Sequence, residues 1–326
     1  MGVLLEVKGL TTRFRVDKHA YINAANNVSF TLDEGETLAI VGESGSGKSV
    51  TALSVMGLVP SPPGHIERGE ILFRGEDLLK LSPRGMRGVR GGKISMIFQE
   101  PMTSLNPVFT IGAQIVEAIR THGGMSRAEA GRRAVELLKQ AEIPDPERRV
   151  KTYPHQMSGG MRQRVMICMA LASNPDILIA DEPTTALDVT IQAQILELIR
   201  SLASERGMAV LFITHDLGVV ADVARRAIVM YAGSVVEMGR VDELFAKPTH
   251  PYTRGLLSAI PRLATPRGQP LYTIPGIVPD LSRLPQGCAF AARCPDRIAR
   301  CRKEKPALRE LSGGRRCACF LAEGGV

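Results

Sequence analysis

Residues 42–49 read Gly-Glu-Ser-Gly-Ser-Gly-Lys-Ser, and no other stretch so narrows what the chain can fold into. The pattern G-x-x-x-x-G-K-S works only between a strand and a helix. Its glycines let the backbone bend until successive N–H groups face one anion. A helix starting there adds the partial positive charge of its N-terminus. The flanks agree: Thr37-Leu38-Ala39-Ile40-Val41 is a short apolar run, and Val50-Thr51-Ala52-Leu53 can open a helix. Lys48 offers a mobile cation to the outer phosphates of a nucleotide, and Ser49 a hydroxyl to Mg²⁺. Gly42, Glu43, Ser44, Gly45, Ser46, Gly47, Lys48 and Ser49 are therefore expected to cradle ATP with Mg²⁺.

The chain around this loop alternates strand-like and helix-like segments. Ile94–Phe98, Ile177–Ala180 and Val210–Ile213 are short apolar runs bounded by turn residues, as in buried strands of a largely parallel sheet. Ser126 with Glu129 three residues on reads as a capping box, followed by Val135, Leu138 and Ala141 at helical spacing. Val189 to Leu202 puts Ile191, Ile195, Leu198 and Leu202 on one helical face. The class is α/β. Strand 177–180 ends in Asp181-Glu182, and ligands of such sheets bind at the carboxyl ends of strands. Asp181 is expected to face Mg²⁺, and Glu182 to orient or deprotonate an attacking water.

Composition bounds the partners. No apolar run approaches the ~18 residues of a membrane span, and the start lacks the pattern of a secretory signal. Residue 6 is Glu, not the Ser or Thr a myristoylation motif wants after Met-Gly. A cytoplasmic protein is expected, with any membrane role carried by partners. The net charge of +8 allows an anionic ligand or surface, while aromatics at 4% and no Trp argue against base stacking. Near residue 248 the alternation breaks at Lys247-Pro248-Thr249-His250-Pro251, and Pro261 to Pro285 reads as a surface linker. Of six cysteines, five follow residue 287. A cytosolic chain seldom spends such a cluster on disulfides, so a metal or cluster site comes first. Cys168, inside a helical stretch, reads as a buried small hydrophobe.

Further features fall into one order: Tyr21 before the loop, Gln99 after the strand ending at Phe98, and Met157-Ser158-Gly159-Gly160-Met161-Arg162-Gln163. Ala186-Leu187-Asp188 follows Glu182, and His215 follows strand 210–214. Together these resemble the ATP-binding subunit of an ABC transporter over nearly all of residues 1–248. Phe98-Gln99-Glu100-Pro101-Met102-Thr103-Ser104-Leu105-Asn106-Pro107, Asp181 to Thr190, and His250-Pro251-Tyr252-Thr253 are similar to the dipeptide/oligopeptide importer subfamily. That resemblance implies an ABC-type ATPase domain over 1–248, with a mixed sheet and a helical subdomain at about 100–175. It also implies a small, irregular, Cys-rich C-terminal extension over 249–326.

The resemblance assigns roles as well. Tyr21 stacks on adenine, with Phe14 as its rival. Gln99 reaches Mg²⁺ and the attacking water, so Ser49, Gln99 and Asp181 form the Mg²⁺ set. Glu182 is the catalytic base, and His215 contacts the γ-phosphate. Ser158, Gly159 and Gly160, with Met161 and Gln163, open a helix whose N-terminus closes on the ATP of a second chain, and Asp188 lies at that interface. Met157 and Met161 replace the commoner Leu and Gln of this signature and leave its Ser-Gly-Gly core intact. The cysteines Cys288, Cys294, Cys301 and Cys319 hold a [4Fe-4S] cluster by the same likeness, with zinc as the alternative. Cys317 is spare, or substitutes for Cys319.

The implied function is coupling of ATP hydrolysis to uptake of dipeptides or oligopeptides, at the cytoplasmic face of the inner membrane. The implied partners are a second, different ATP-binding subunit, two transmembrane permease subunits and, indirectly, a substrate-binding protein. The competing readings are an importer for nickel or another small solute, and a soluble ABC-type ATPase acting on nucleic acid or ribosomes. The chain carries neither a long coiled-coil insertion nor a second cassette, which speaks against a nucleic-acid role.

Overall fold

The computed structural model describes residues 2–18, 20–100, 104–185, 187–260 and 272–324. Its strands in chain order are β1 (Val3–Arg15), β2 (Tyr21–Asp33), β3 (Thr37–Val41), β4 (Gly64–Phe73), β5 (Glu76–Asp77) and β6 (Ile94–Ile97). Then come β7 (Ile177–Asp181), β8 (Ala209–Thr214), β9 (Arg226–Tyr231), β10 (Ser234–Arg240), β11 (Arg309–Glu310) and β12 (Arg316–Cys317). The helices are α1 (Lys48–Val55), α2 (Pro83–Val89), α3 (Ile111–Gly123), α4 (Arg127–Gln140), α5 (Pro146–Arg149) and α6 (Gly159–Ala170). They continue with α7 (Val189–Arg206), α8 (Leu217–Val223), α9 (Val241–Ala246), α10 (Pro251–Ser258) and α11 (Ala299–Lys303). The chain divides into two compact units.

The first unit comprises Met1–Gly2, Asp33–Glu36 and Lys80–Phe212. Its strands run in the order β8-β7-β6. β6 and β7 are parallel, in register from Ile94 opposite Ile177 to Ile97 opposite Ala180. Every residue of β6, β7 and β8 is buried, which is why they read as unbroken apolar runs rather than alternating ones. The helical part has defined starts. Ser126 caps α4 in a full capping box with Glu129, and Ala130, Ala134, Leu137 and Leu138 form its buried face. Val135, expected on that face, is only half-buried. Cys168 of α6 is 2% exposed, its Sγ–H donates to the Leu137 carbonyl at 3.2 Å, and burial pushes the thiol up to about 12.

The second unit comprises Val3–Leu32, Thr37–Leu79 and Ile213–Val326. One sheet has the order β2-β1-β4-β5, with β1 antiparallel to β4. The other runs β11-β12-β10-β9-β3, with β3 parallel to β9 and β10 antiparallel to both β9 and β12. The core beside β3 and β9 joins Val41, Val229, Tyr231, Tyr252 and Phe290. Tyr252 and Phe290 come from beyond residue 248, so the shift in composition there marks no break between compact units. The expected linker over 261–285 falls partly outside the described residues, as do Pro101, Met102, Thr103 and Ala186 of the motifs.

Candidate nucleotide site and cysteine segment

In the second unit β3 delivers the chain into the phosphate loop, and α1 leaves it. Gly47 is the N-cap of α1 with φ 99°, and a Cβ there would lie 2.2 Å from the Ala24 carbonyl oxygen. Only glycine fits that left-handed, crowded position. Lys48 is 4% exposed, and its Nζ donates to the carbonyls of Gly42 and Glu43 at 2.8 and 3.1 Å. Ser44 and Gly45 are exposed at the loop tip, and Ser49 is half-buried. Ser46 is buried, and its Oγ has no hydrogen-bond partner, a donor suited to an anion seated in the loop.

Two more expected residues belong to this unit. Tyr21 is 49% exposed and meets the His65 ring edge-on at 5.9 Å, which leaves ring surface open. Phe14, its rival, is half-buried and packs over Gly64. His215 is exposed in the turn after β8, where Asp216 accepts the Gly218 N–H at 2.8 Å and caps α8.

In the first unit β7 ends at Asp181, 4% exposed, and Glu182 follows with φ 47°. A left-handed glutamate is strained, and such strain collects at functional positions. The Glu182 carboxylate accepts from Gln99 Nε2 at 3.1 Å and from Thr185 Oγ1 at 2.9 Å. The structure thus brings Gln99 and Glu182 together and adds Thr185, which the sequence reading missed. The signal was only a hydroxyl three residues after Glu182. Gln99 donates through its nitrogen, which leaves its amide oxygen as an acceptor.

The same unit holds the Ser-Gly-Gly signature. Ser158 is the N-cap of α6 and accepts the Met161 N–H at 3.3 Å. Ser158 and Gly159 are exposed, so the free N–H groups of this helix start face solvent. At Gly160 a Cβ would lie 2.8 Å from Ile191 Cγ2, so any side chain there would force Ile191 to shift. Met161 is half-buried. Gln163 is 2% exposed and faces the unit interior, so an anion at this end meets Ser158 to Met161 instead. Asp188 is exposed and accepts the Ile191 N–H at 2.9 Å as the N-cap of α7.

The five C-terminal cysteines separate into four and one. Cys288, Cys294, Cys301 and Cys319 line one small cavity with Phe290, Pro306 and Phe320. Backbone N–H groups of Phe290, Asp296 and Leu321 hydrogen-bond the sulfurs of Cys288, Cys294 and Cys319, a pattern that suits thiolates. Burial, then the neighbouring thiols, push Cys288 up to about 11. Cys317 lies apart: it is 1% exposed on β12, opposite Glu237 of β10, and burial followed by the Glu237 charge raises its thiol. Among the described residues no three His, Cys, Asp or Glu side chains stand ready to hold a metal ion. Among these residues the expected [4Fe-4S] or zinc centre is not shown. Burial raises the thiols of Cys288, Cys294 and Cys319, which line the cavity together with Cys301.

A phosphate loop, a strand-end Asp-Glu and a second helix N-terminus headed by Ser-Gly-Gly define an ATP-binding cassette ATPase. Residues 25–185 match the family described as ABC transporter, and residues 236–301 the oligopeptide/dipeptide transporter C-terminal region. A probable peptide ABC transporter ATP-binding protein of Sinorhizobium fredii is 55% identical, over 98% of this chain and 95% of its own. The oligopeptide transport ATP-binding protein OppD of Bacillus subtilis is 58% identical, over 89% of this chain and 81% of its own. A solved dimeric ATP-binding cassette with ADP and Pi, 33% identical, covers 73% of this chain and 98% of its own at a TM-score of 0.65. The chain belongs to the ABC transporter family, in its oligopeptide/dipeptide transporter group, and is an ATPase. No helix among the described residues is long and apolar enough to cross a membrane.

Proposed function

We propose that this chain is the ATP-hydrolysing subunit of a membrane importer for dipeptides or oligopeptides. The observation that carries the reading is its nearly end-to-end likeness to ATP-binding proteins of peptide transporters. The second unit supplies the Gly42–Ser49 loop for the phosphates, Tyr21 for adenine and His215 for the γ-phosphate. Asp181 and Gln99 of the first unit, and Ser49 of the second, each carry a hard oxygen donor of the kind Mg²⁺ takes. When bound, Mg²⁺ neutralises charge on the phosphates. Glu182, oriented by Gln99 and Thr185, takes the proton of the attacking water, and positioning and electrostatics supply most of the acceleration. Ser158, Gly159, Gly160 and Met161 close on the ATP of a second ATP-binding subunit, with Asp188 at that interface and Gln163 supporting the helix start from within.

In this reading two transmembrane permease subunits anchor the chain at the cytoplasmic face of the inner membrane, a substrate-binding protein feeds them, and nucleic acid has no part. The stretch from Gln99 to Phe109 relays motion to the permeases. Exposed apolar side chains at its end, Val108 (71%) and Phe109 (52%), support that role. Cys288, Cys294, Cys301 and Cys319 hold a [4Fe-4S] cluster, with zinc as the alternative. Their shared cavity and the N–H donors to their sulfurs support a thiolate site.

The test is reconstitution in proteoliposomes with the permease pair and its binding protein. ATP should drive uptake of a labelled dipeptide or oligopeptide, and Lys48→Ala should abolish it. Uptake of nickel without peptide, or ATPase activity stimulated by DNA or RNA without membrane subunits, would overturn the reading.

A further inference from the structure

Glu43 is the second residue of the phosphate loop, so the chain places a carboxylate inside a site built for a polyanion. That charge is met from a distant part of the same unit. Arg293, next to Cys294, donates from Nη1 to one Glu43 carboxylate oxygen at 2.7 Å and from Nη2 to the other at 3.0 Å. The two-pronged pair is well shielded, with the Arg293 side chain 4% exposed and that of Glu43 31%. The guanidinium is fixed by three further acceptors: the Pro275 carbonyl at 3.0 Å, the Ile274 carbonyl at 3.3 Å and the Tyr231 hydroxyl at 3.5 Å. The Tyr231 and Phe290 rings flank it, each 5.9 Å from its central carbon. Tyr252 adds a second hold, because its buried hydroxyl accepts the Glu43 backbone N–H at 2.8 Å. Both residues come from beyond residue 248, Tyr252 in α10 and Arg293 in the cysteine segment.

We propose that Arg293 and Tyr252 are positioning residues for the phosphate loop, through which the cysteine segment sets the loop's affinity for ATP; this rests on the reading of the loop as the ATP site. Arg293 acts in two ways. It cancels the negative charge that Glu43 would present to the incoming phosphates. It also anchors the loop's second residue by a rigid two-pronged contact, while Tyr252 anchors the backbone at the same point. A loop held in shape before binding gives up less freedom when the nucleotide arrives. The geometry makes the charge partner specific: lysine at 293 would keep the cation but lose the fork.

The experiment measures the ATP dissociation constant of the full-length chain, together with KM and kcat for ATP. The proteins are wild type, Arg293→Ala, Arg293→Lys, Glu43→Gln and the double variant Arg293→Ala/Glu43→Gln. Arg293→Ala should weaken ATP binding about tenfold, the scale of one unmasked, partly screened unit charge close to a polyanion. The loss should appear in KM rather than kcat, and be smaller for AMP than for ATP. Arg293→Lys should recover part of the loss. Adding Glu43→Gln to Arg293→Ala should recover most of it, because the repelling charge is gone; a purely structural arginine predicts no such rescue. Should Arg293→Ala fold poorly, Arg293→Lys alone still decides the matter: with the cation kept and the fork lost, it should bind ATP more weakly than wild type with kcat unchanged.

Wild-type affinity in Arg293→Ala, wild-type affinity in Arg293→Lys, or no rescue in the double variant each overturns the proposal. Lys48→Ala separates this failure from that of the ATP reading. Normal ATP binding by Lys48→Ala overturns the reading of the loop and the inference with it. Lost binding there, beside wild-type binding in Arg293→Ala, overturns the inference alone.

Discussion

At the scale of single residues, chemistry that follows from a local pattern was legible and chemistry that needs distant partners was not. The glycine loop, Lys48 and Ser49 could be read because their spacing alone defines a phosphate cradle. Glu182 could be suspected from its place after an apolar strand. Its two hydrogen-bond donors could not, since Gln99 lies 83 positions away and nothing local ties the two. The Glu43–Arg293 pair spans 250 positions and was invisible for the same reason. Glu182→Gln tests the catalytic reading. Glutamine keeps the size of the side chain and one oxygen for the Gln99 and Thr185 donors, but it is a poor proton acceptor. The variant should bind ATP normally and release phosphate about 10²- to 10³-fold more slowly, as expected for a lost general base. Near-normal phosphate release in a single-turnover assay would move the base elsewhere.

At the scale of elements, continuous apolar runs and caps carried the reading, and alternating strands escaped it. β3, β6, β7 and β8 are buried nearly throughout, so a plain run of Ile, Leu and Val announces them. β1, β2 and β4 mix buried and exposed residues, and the sheet they build went unread. β11 and β12, at two residues each, carry too little pattern to find. Helix α7 extends past the expected Leu202 to Arg206, where Gly207 with φ 61° ends it, a stop that glycine makes possible. The capping box at Ser126 was read correctly and can be weighed. The Ser126 Oγ accepts the Glu129 N–H at 3.3 Å, and the Glu129 carboxylate accepts the Ser126 N–H at 2.9 Å. Ser126→Ala should cost about 1 kcal/mol, read as a lower urea midpoint at unchanged slope. ATPase activity of the folded protein should stay the same.

At the scale of the whole molecule, the residues after 248 looked in sequence like an appendage, whereas Tyr252 and Phe290 build the core beside the phosphate loop's own strand. Long-range packing of this kind leaves no periodic trace in the sequence. It also sorts the cysteines. Cys319→Ser should lose most of the bound iron, or zinc, measured per chain after anaerobic purification, whereas Cys317→Ser should keep it. Equal loss in both would put Cys317 among the ligands.

The short strand that carries Cys317 has a further consequence. β12 pairs with β10 through Glu237 opposite Cys317 and Met238 opposite Arg316, and the Ala318 N–H donates to the Val236 carbonyl. It therefore occupies the hydrogen-bonding edge of an otherwise open sheet, backed by a β11 of two exposed, charged residues. Were residues 309–318 released, β10 would show a row of unpaired amides beside Val235 and Val236, the kind of edge on which chains stick to one another. Shortening this protein from its C-terminal end is thus a problem of solubility before it is one of activity.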